Sequence, residues 1–118
     1  MRTSSVKLNP ILKNQIGKTF AQLICDIKNP EEADIFLKDF FNESEYVTFI
    51  KRMAVAYWLK KNRSYSNIKT NLKVSSATIA SIQNNLDSEG IKIAIKKLEA
   101  EEWANVWAEK INKFVKGK

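Results

Sequence analysis

Apolar residues recur at three- and four-residue steps along most of the chain, the periodicity of helices that bury one face. In the first segment this series runs from Leu8 to Ile27, and the pair Asn29-Pro30 ends it. The same pair starts a second helix, because Asn is a favoured N-cap and Pro suits the first helical position. The pattern therefore predicts two consecutive helices before residue 42.

Further helices follow, each with its own boundary signal. The run Asn42-Glu43-Ser44-Glu45 resembles a capping box at the start of a third helix, and Asn62 can adopt the left-handed conformation that ends it. Two short helices, 65–73 and 75–86, are then joined by a tight turn. A long helical pattern occupies 88–118, where Leu98 and Trp107 are half a turn out of phase. This last helix is expected either to break near residues 99–102 or to change packing partner there.

These elements predict an all-α fold of about six helices in one domain spanning residues 1–118. Its parts are N-terminal helices in 8–62, a helix-turn-helix in 64–86 and one or more C-terminal helices in 88–118. No strand alternation, repeat or low-complexity segment competes with this interpretation.

The helix-turn-helix prediction is based on five apolar positions. Counted from Tyr65 as position one, positions four, eight, ten, fifteen and eighteen are apolar, namely Ile68, Leu72, Val74, Ile79 and Ile82. In a DNA-binding helix-turn-helix these positions join the two helices to each other and to the body, and the second helix presents its N-terminal half to the major groove. An ordinary helical hairpin with a solvated polar face is the alternative.

Charge favours the DNA-binding interpretation. The chain has a formal net charge of +7, and residues 46–86 contain seven Lys or Arg and no Asp or Glu. A basic segment of this length indicates a polyanionic partner. The front of the second helix bears hydroxyl and amide groups, which can bond base edges and phosphates. The predicted DNA-contacting residues are Arg63, Lys69, Lys73, Ser75, Ser76, Thr78, Ser81 and Asn84.

Enzymatic chemistry is not expected. The chain has no histidine, three glycines and one cysteine, so the usual general base, metal ligands and phosphate-binding glycine loop are missing. No catalytic residue, metal or cofactor is predicted. Cys25 lies in an apolar run, and we expect a small buried hydrophobe there. One cysteine permits no disulfide within the chain, and no signal peptide or membrane span is evident, so a cytoplasmic protein is expected.

The run "FNESEYVTFIKRMAVAYWLKKNRSYSNIKTNLKVSSATIASIQNNL" and the preceding "NPEEADIFLKDFF" resemble the Trp repressor family, in particular its YerC/YecD-type branch. Val74, Ser75, Ala77, Thr78 and Ile79 are the most telling matches. The resemblance implies an intertwined homodimer formed by the N-terminal helices, and it implies repression through operator DNA.

The resemblance also points to an effector pocket at Arg52, Ser81 and Ile82. Tryptophan-binding members hold their corepressor with an arginine on the third helix, which Arg52 matches, and with an arginine–glycine pair. Ser81 and Ile82 occupy the positions of that pair. Serine cannot stack on an indole, and Ile82 would fill the space that glycine leaves open, so tryptophan is not expected to bind.

A second hypothesis concerns the C-terminal segment. Trp103, Trp107, Ile111 and Phe114 form an aromatic and apolar stripe that could dock a partner protein. In that case the chain would be a helical interaction module without specific DNA binding. The same stripe could instead fold into the core of the dimer.

Overall fold

A computed structural model describes the backbone of residues 6–115 and the side chains of residues 6–102. Within this part the chain forms six α-helices and no strand, which confirms the all-α prediction. The helices are α1 (Pro10–Asp26), α2 (Pro30–Phe40), α3 (Glu43–Lys60), α4 (Tyr65–Leu72), α5 (Ser76–Asn84) and α6 (Glu89–Val115). The chain divides into two compact units, Met1–Thr48 and Phe49–Lys118.

Side-chain caps set the helix starts in the first unit. The Asn29 Oδ1 atom accepts the backbone N–H of Glu32 at 2.8 Å, as the Asn-Pro pair predicts. Asn42 and Glu45 form the predicted capping box, since each side chain accepts the other's backbone N–H at 3.0 Å or less. α1 ends at Asp26, earlier than the Asn29-Pro30 signal requires.

An aromatic cluster joins α1 and α2. The ring of Phe20 lies 6.4 Å from Phe36 and 5.8 Å from Phe40, measured between centroids, and Phe36 and Phe40 stack at 5.0 Å. These rings cover only part of α1, so no residue of α1 is buried in the single chain. Large apolar side chains of α1 remain exposed: Ile11, Leu12, Ile16, Phe20, Leu23 and Ile24.

The expectation for Cys25 is therefore wrong for the single chain. Cys25 is exposed, because the helix that carries it has no buried face. An apolar run in sequence identifies a face that favours burial but does not identify what covers it.

The second unit holds the core of the described chain. Its buried side chains come from four helices: Val55, Ala56 and Leu59 of α3, Ile68 of α4, Ile79 and Ile82 of α5, and Ile95 of α6. Leu72 and Val74 pack against this cluster while partly buried. The apolar positions that predicted the helix-turn-helix therefore all join one core.

α6 continues without interruption from Glu89 to Val115. The predicted break near residues 99–102 is wrong, because that segment contains neither Gly nor Pro to end a helix. The alternative prediction, a change of packing partner, concerns side chains after residue 102 that lie outside the described residues.

Candidate nucleic-acid interface

The geometry of α4 and α5 is fixed by two serine caps and one left-handed residue. Ser64 Oγ accepts the backbone N–H of Asn67 at 3.1 Å, and Ser75 Oγ accepts that of Thr78 at 3.1 Å. Between the helices, Lys73 has φ 55° and ψ 53° and donates its N–H to the Lys69 carbonyl at 3.1 Å. The chain can therefore turn within the three residues that separate α4 from α5.

The two faces of α5 differ sharply in burial. Ile79 has no exposed surface and Ile82 is 7% exposed, and both pack in the core with Ile68 of α4. The other side chains of α5 are exposed, as is the cap Ser75. Small polar and alanine side chains make up this surface, which we call the α5 front: Ser75, Ser76, Ala77, Thr78, Ala80, Ser81 and Asn84.

Hydrogen bonds within the α5 front distinguish Ser75 from Thr78. Ser75 Oγ caps the helix and donates to Thr78 Oγ1 at 3.0 Å, so its proton and one lone pair are engaged. Thr78 Oγ1 accepts that bond and keeps its own proton for an external acceptor. Ser75 therefore acts first as a structural cap, whereas Thr78 can donate to a ligand.

Two cations of this segment are held in defined positions. The Arg63 guanidinium carbon lies 4.2 Å from the centroid of the Trp58 ring, and Arg63 Nη1 donates to Asn67 Oδ1 at 3.3 Å. Lys51 Nζ donates to the Lys73 carbonyl at 3.1 Å, which brings a charge from α3 to the turn. The sequence did not indicate Lys51, because no periodicity relates residue 51 to a turn so far along the chain.

All eight predicted DNA-contacting residues are exposed and belong to the second unit. Arg63 precedes α4, Lys69 lies on α4, Lys73 lies in the turn, and the remaining five belong to the α5 front. No Asp or Glu occurs anywhere in residues 46–86, so no carboxylate of this segment neutralises these cations.

A comparison with protein families identifies the architecture. The Trp repressor protein family matches residues 16–99, which is more than half of the chain. The chain belongs to the Trp repressor family. No curated protein and no solved structure matched it.

Trp repressor family proteins are non-enzymatic regulators, which confirms that this member is not an enzyme. Membership supports the fold and suggests DNA-binding regulation. Among side chains 6–102, no group of three His, Cys, Asp or Glu residues could hold a metal ion. No helix within the described residues is long and apolar enough to cross a membrane.

The three residues predicted to form an effector pocket in this Trp repressor family member differ from one another in burial. Arg52 is exposed, with its guanidinium carbon 5.5 Å from the Phe49 ring centroid. Ser81 is exposed, whereas the neighbouring Ile82 faces the core. A depression of about 280 Å³ elsewhere in the second unit involves none of these three; it is lined by Lys60, Leu86, Asp87, Lys92, Ile95, Lys96 and Glu99.

A polar cluster connects α3 to α6 just beyond the end of the family match. Tyr57 donates its hydroxyl hydrogen to Glu102, and Lys61 Nζ lies 3.0 Å from a Glu102 oxygen and 3.9 Å from Glu99 Oε2. The hydrogen bonds from Tyr57 and then Lys61 lower the pKa of Glu102, and the hydrogen bond to Glu102 raises the pKa of both Tyr57 and Lys61. This cluster links α3 to α6 near residue 102. The side chains of Trp103, Trp107, Ile111 and Phe114 lie outside the described residues, so the interaction-module hypothesis stays a prediction.

Proposed function

We propose that this chain is a homodimeric, sequence-specific regulator of transcription that represses by binding double-stranded DNA through α4 and α5. The observation that carries the proposal is that α5 has one buried face and one exposed face. Ile79 and Ile82 hold one face in the core, while the α5 front is open to solvent beside a basic surface. A recognition helix needs this arrangement to enter the major groove while its partner helix crosses the backbone.

The chemistry of the α5 front suits bases rather than ions. Thr78, Ser81 and Asn84 can exchange hydrogen bonds with base edges, and the methyl groups of Ala77 and Ala80 can contact thymine methyls. Ser76 lies at the first position of α5, where its hydroxyl and backbone N–H can approach a phosphate. Neutral groups make specific contacts here, and the charges surround them.

Phosphate attraction is assigned to the flanking cations. Arg63, Lys69 and Lys73 are exposed beside or between the two helices. Their contribution would be largely independent of base sequence and would weaken as salt rises, because binding releases counterions from the duplex. Lys51 adds charge at the same turn through its bond to the Lys73 carbonyl.

Dimerisation is assigned to the N-terminal helices. Family membership suggests a dimer, and α1 has no buried residue and exposes six large apolar side chains, a pattern that is typical of an interaction surface. We propose that the α1 helices of two chains intertwine, as the resemblance to the YerC/YecD-type branch implies. Two recognition helices would then reach half-sites about 34 Å apart in the cytoplasm.

Tryptophan is not proposed as the corepressor. The buried Ile82 occupies the position of the glycine in tryptophan-binding members, and Ser81 replaces the stacking arginine. Arg52, Ser81 and Ile82 remain the proposed location of any other effector pocket.

The test is a comparison of two duplexes. The affinity of the purified protein for DNA upstream of its own gene is measured against a shuffled duplex at several salt concentrations. We expect tighter binding to the upstream DNA, with an affinity that falls as salt rises. Equal affinity for both duplexes would contradict sequence-specific recognition.

Two kinds of variant separate base contacts from phosphate contacts. Thr78→Ala and Asn84→Ala should reduce the preference for the upstream duplex more than the affinity for shuffled DNA. Lys69→Ala, the matched control on α4, should weaken binding to both duplexes by about the same factor. The reverse pattern would show that the base-contacting face is not the α5 front.

A further inference from the structure

Arg63 is anchored to Trp58 through both its backbone and its side chain. The Arg63 backbone N–H donates to the Trp58 carbonyl at 3.1 Å, and the guanidinium carbon lies 4.2 Å from the centre of the Trp58 ring. Asn62, between them, has a φ of 63°, which lets the chain reverse direction there. The turn after α3 thus folds Arg63 back over the indole.

A second contact limits rotation of the guanidinium. Nη1 donates to Asn67 Oδ1 at 3.3 Å, one turn into α4. A guanidinium has five N–H donors in one plane, and stacking on a ring uses the face of that plane. The edge keeps donors for a ligand that accepts two parallel hydrogen bonds, as a phosphate does. Arg63 is exposed, so such a ligand can reach it.

We propose that Trp58 is a positioning residue for DNA binding, holding the Arg63 guanidinium in the orientation in which it contacts a backbone phosphate. This inference rests on the proposed function, because it assigns Arg63 to the same duplex that α5 contacts. Trp58 itself does not touch DNA in this proposal. Without the indole, the arginine would have to lose its rotational freedom on binding, and affinity would fall.

The decisive experiment is a double-mutant cycle in DNA affinity. Dissociation constants are measured by fluorescence anisotropy for Trp58→Leu, Arg63→Ala and the double variant on the upstream and shuffled duplexes. Trp58→Leu should weaken binding about two- to fivefold when Arg63 is present and should have no effect in the Arg63→Ala background. Arg63→Ala should also reduce the slope of log affinity against log salt by about 0.9. Both effects should be equal on the two duplexes, because a phosphate contact carries no base information.

Controls separate positioning from a general loss of folding. Trp58→Leu and Lys69→Ala should act independently, because Lys69 is not part of the stack. Trp58→Phe, which keeps an aromatic face, should recover part of the lost affinity. Arg63→Lys keeps the charge on an exposed residue and should not disturb folding. It should weaken binding while leaving the salt slope unchanged, because lysine is a compact cation without a planar fork.

The possible results are distinct. An equal loss of affinity from Trp58→Leu with and without Arg63, or an Arg63→Lys variant that binds like the wild type, would overturn the positioning role of Trp58. If the wild type binds both duplexes equally, sequence specificity fails, but the cycle still decides the role of Trp58. If the wild type binds neither duplex, both proposals are wrong.

Discussion

Ile79 is the side chain on which the attachment of α5 most depends, so its truncation tests the whole arrangement. Ile79 is 0% exposed and lies in the core cluster with residues of α3, α4 and α6. The matched control is Ile93, which lies on α6 and is 58% exposed. The changes Ile79→Ala and Ile93→Ala are chemically identical and differ in burial.

The expected cost follows from the buried carbons. Alanine lacks three carbons of isoleucine, and each buried methylene contributes about 0.8 kcal/mol of transfer free energy, about 2.4 kcal/mol in all. A cavity that does not collapse increases the loss of stability by up to about 2 kcal/mol, and the better helix propensity of alanine reduces it by about 0.4 kcal/mol. We expect Ile79→Ala to lower the free energy of unfolding by about 2–4 kcal/mol. The total free energy of unfolding of a domain of this size is about 5–15 kcal/mol.

Urea unfolding, followed by circular dichroism, measures this difference. All variants should be compared at one protein concentration, because the stability of a dimer depends on it. Ile93→Ala should change the free energy of unfolding by less than about 0.5 kcal/mol. A loss below about 1 kcal/mol for Ile79→Ala, or equal losses for the two variants, would refute the assignment of Ile79 to the core.

Three further predictions concern capping, pH and effector choice. Ser75→Ala should lower the free energy of unfolding by about 1 kcal/mol because it removes the α5 cap, whereas Ser76→Ala should be nearly neutral in the same urea titration. Glu102→Gln should lower the melting temperature at pH 7 and make it less dependent on acid pH. Hydrogen bonds, first from Tyr57, lower the pKa of Glu102 below 4.5, so the stabilisation from its carboxylate is present above pH 4.5 and is lost as pH falls through the pKa of the folded state. A variant that keeps the wild-type acid dependence of the melting temperature would contradict this. L-tryptophan should produce no saturable heat in calorimetry, because the proposed correspondence puts Ile82 where tryptophan-binding members have glycine. A saturable isotherm would contradict this proposal.

Helix boundaries could be predicted because their causes are local. The Asn29, Asn42 and Ser75 caps are hydrogen bonds to N–H groups three residues away, so the sequence alone contains both partners. The tight turn predicted between the two short helices is present, and Lys73 adopts the left-handed conformation there. The same logic identified Ile79 and Ile82 as buried, since their spacing places them on one face of a helix.

Contacts across turns could not be predicted in this way. The Lys51–Lys73 bond joins residues 22 positions apart and depends on how α3 approaches the turn after α4, which no local rule determines. Cys25 shows the complementary failure. Its apolar neighbours indicate a face that favours burial, but whether a single chain covers that face is a property of tertiary and quaternary structure.

The phase shift in α6 has a physical cause in α3. Ile95 and Glu102 are seven residues apart, so they lie within about 20° on the same side of an α-helix. This side is buried at Ile95 and polar at Glu102, where α3 presents Tyr57 and Lys61 rather than aliphatic side chains. The apolar series therefore cannot continue along the face of α6 that packs on α3. The position of the apolar residues around α6 can thus change although the helix itself is continuous.

This cause determines how the C-terminal stripe should be tested. A chain cut after Leu98 would lose the bonds of Glu102 to Tyr57 and Lys61 together with the stripe. Any defect in such a chain would have two explanations. A chain cut after Glu102 keeps the polar cluster and removes Trp103 and the residues that follow. Its dimerisation and DNA affinity therefore separate a role of the stripe from a role of the α3–α6 contact.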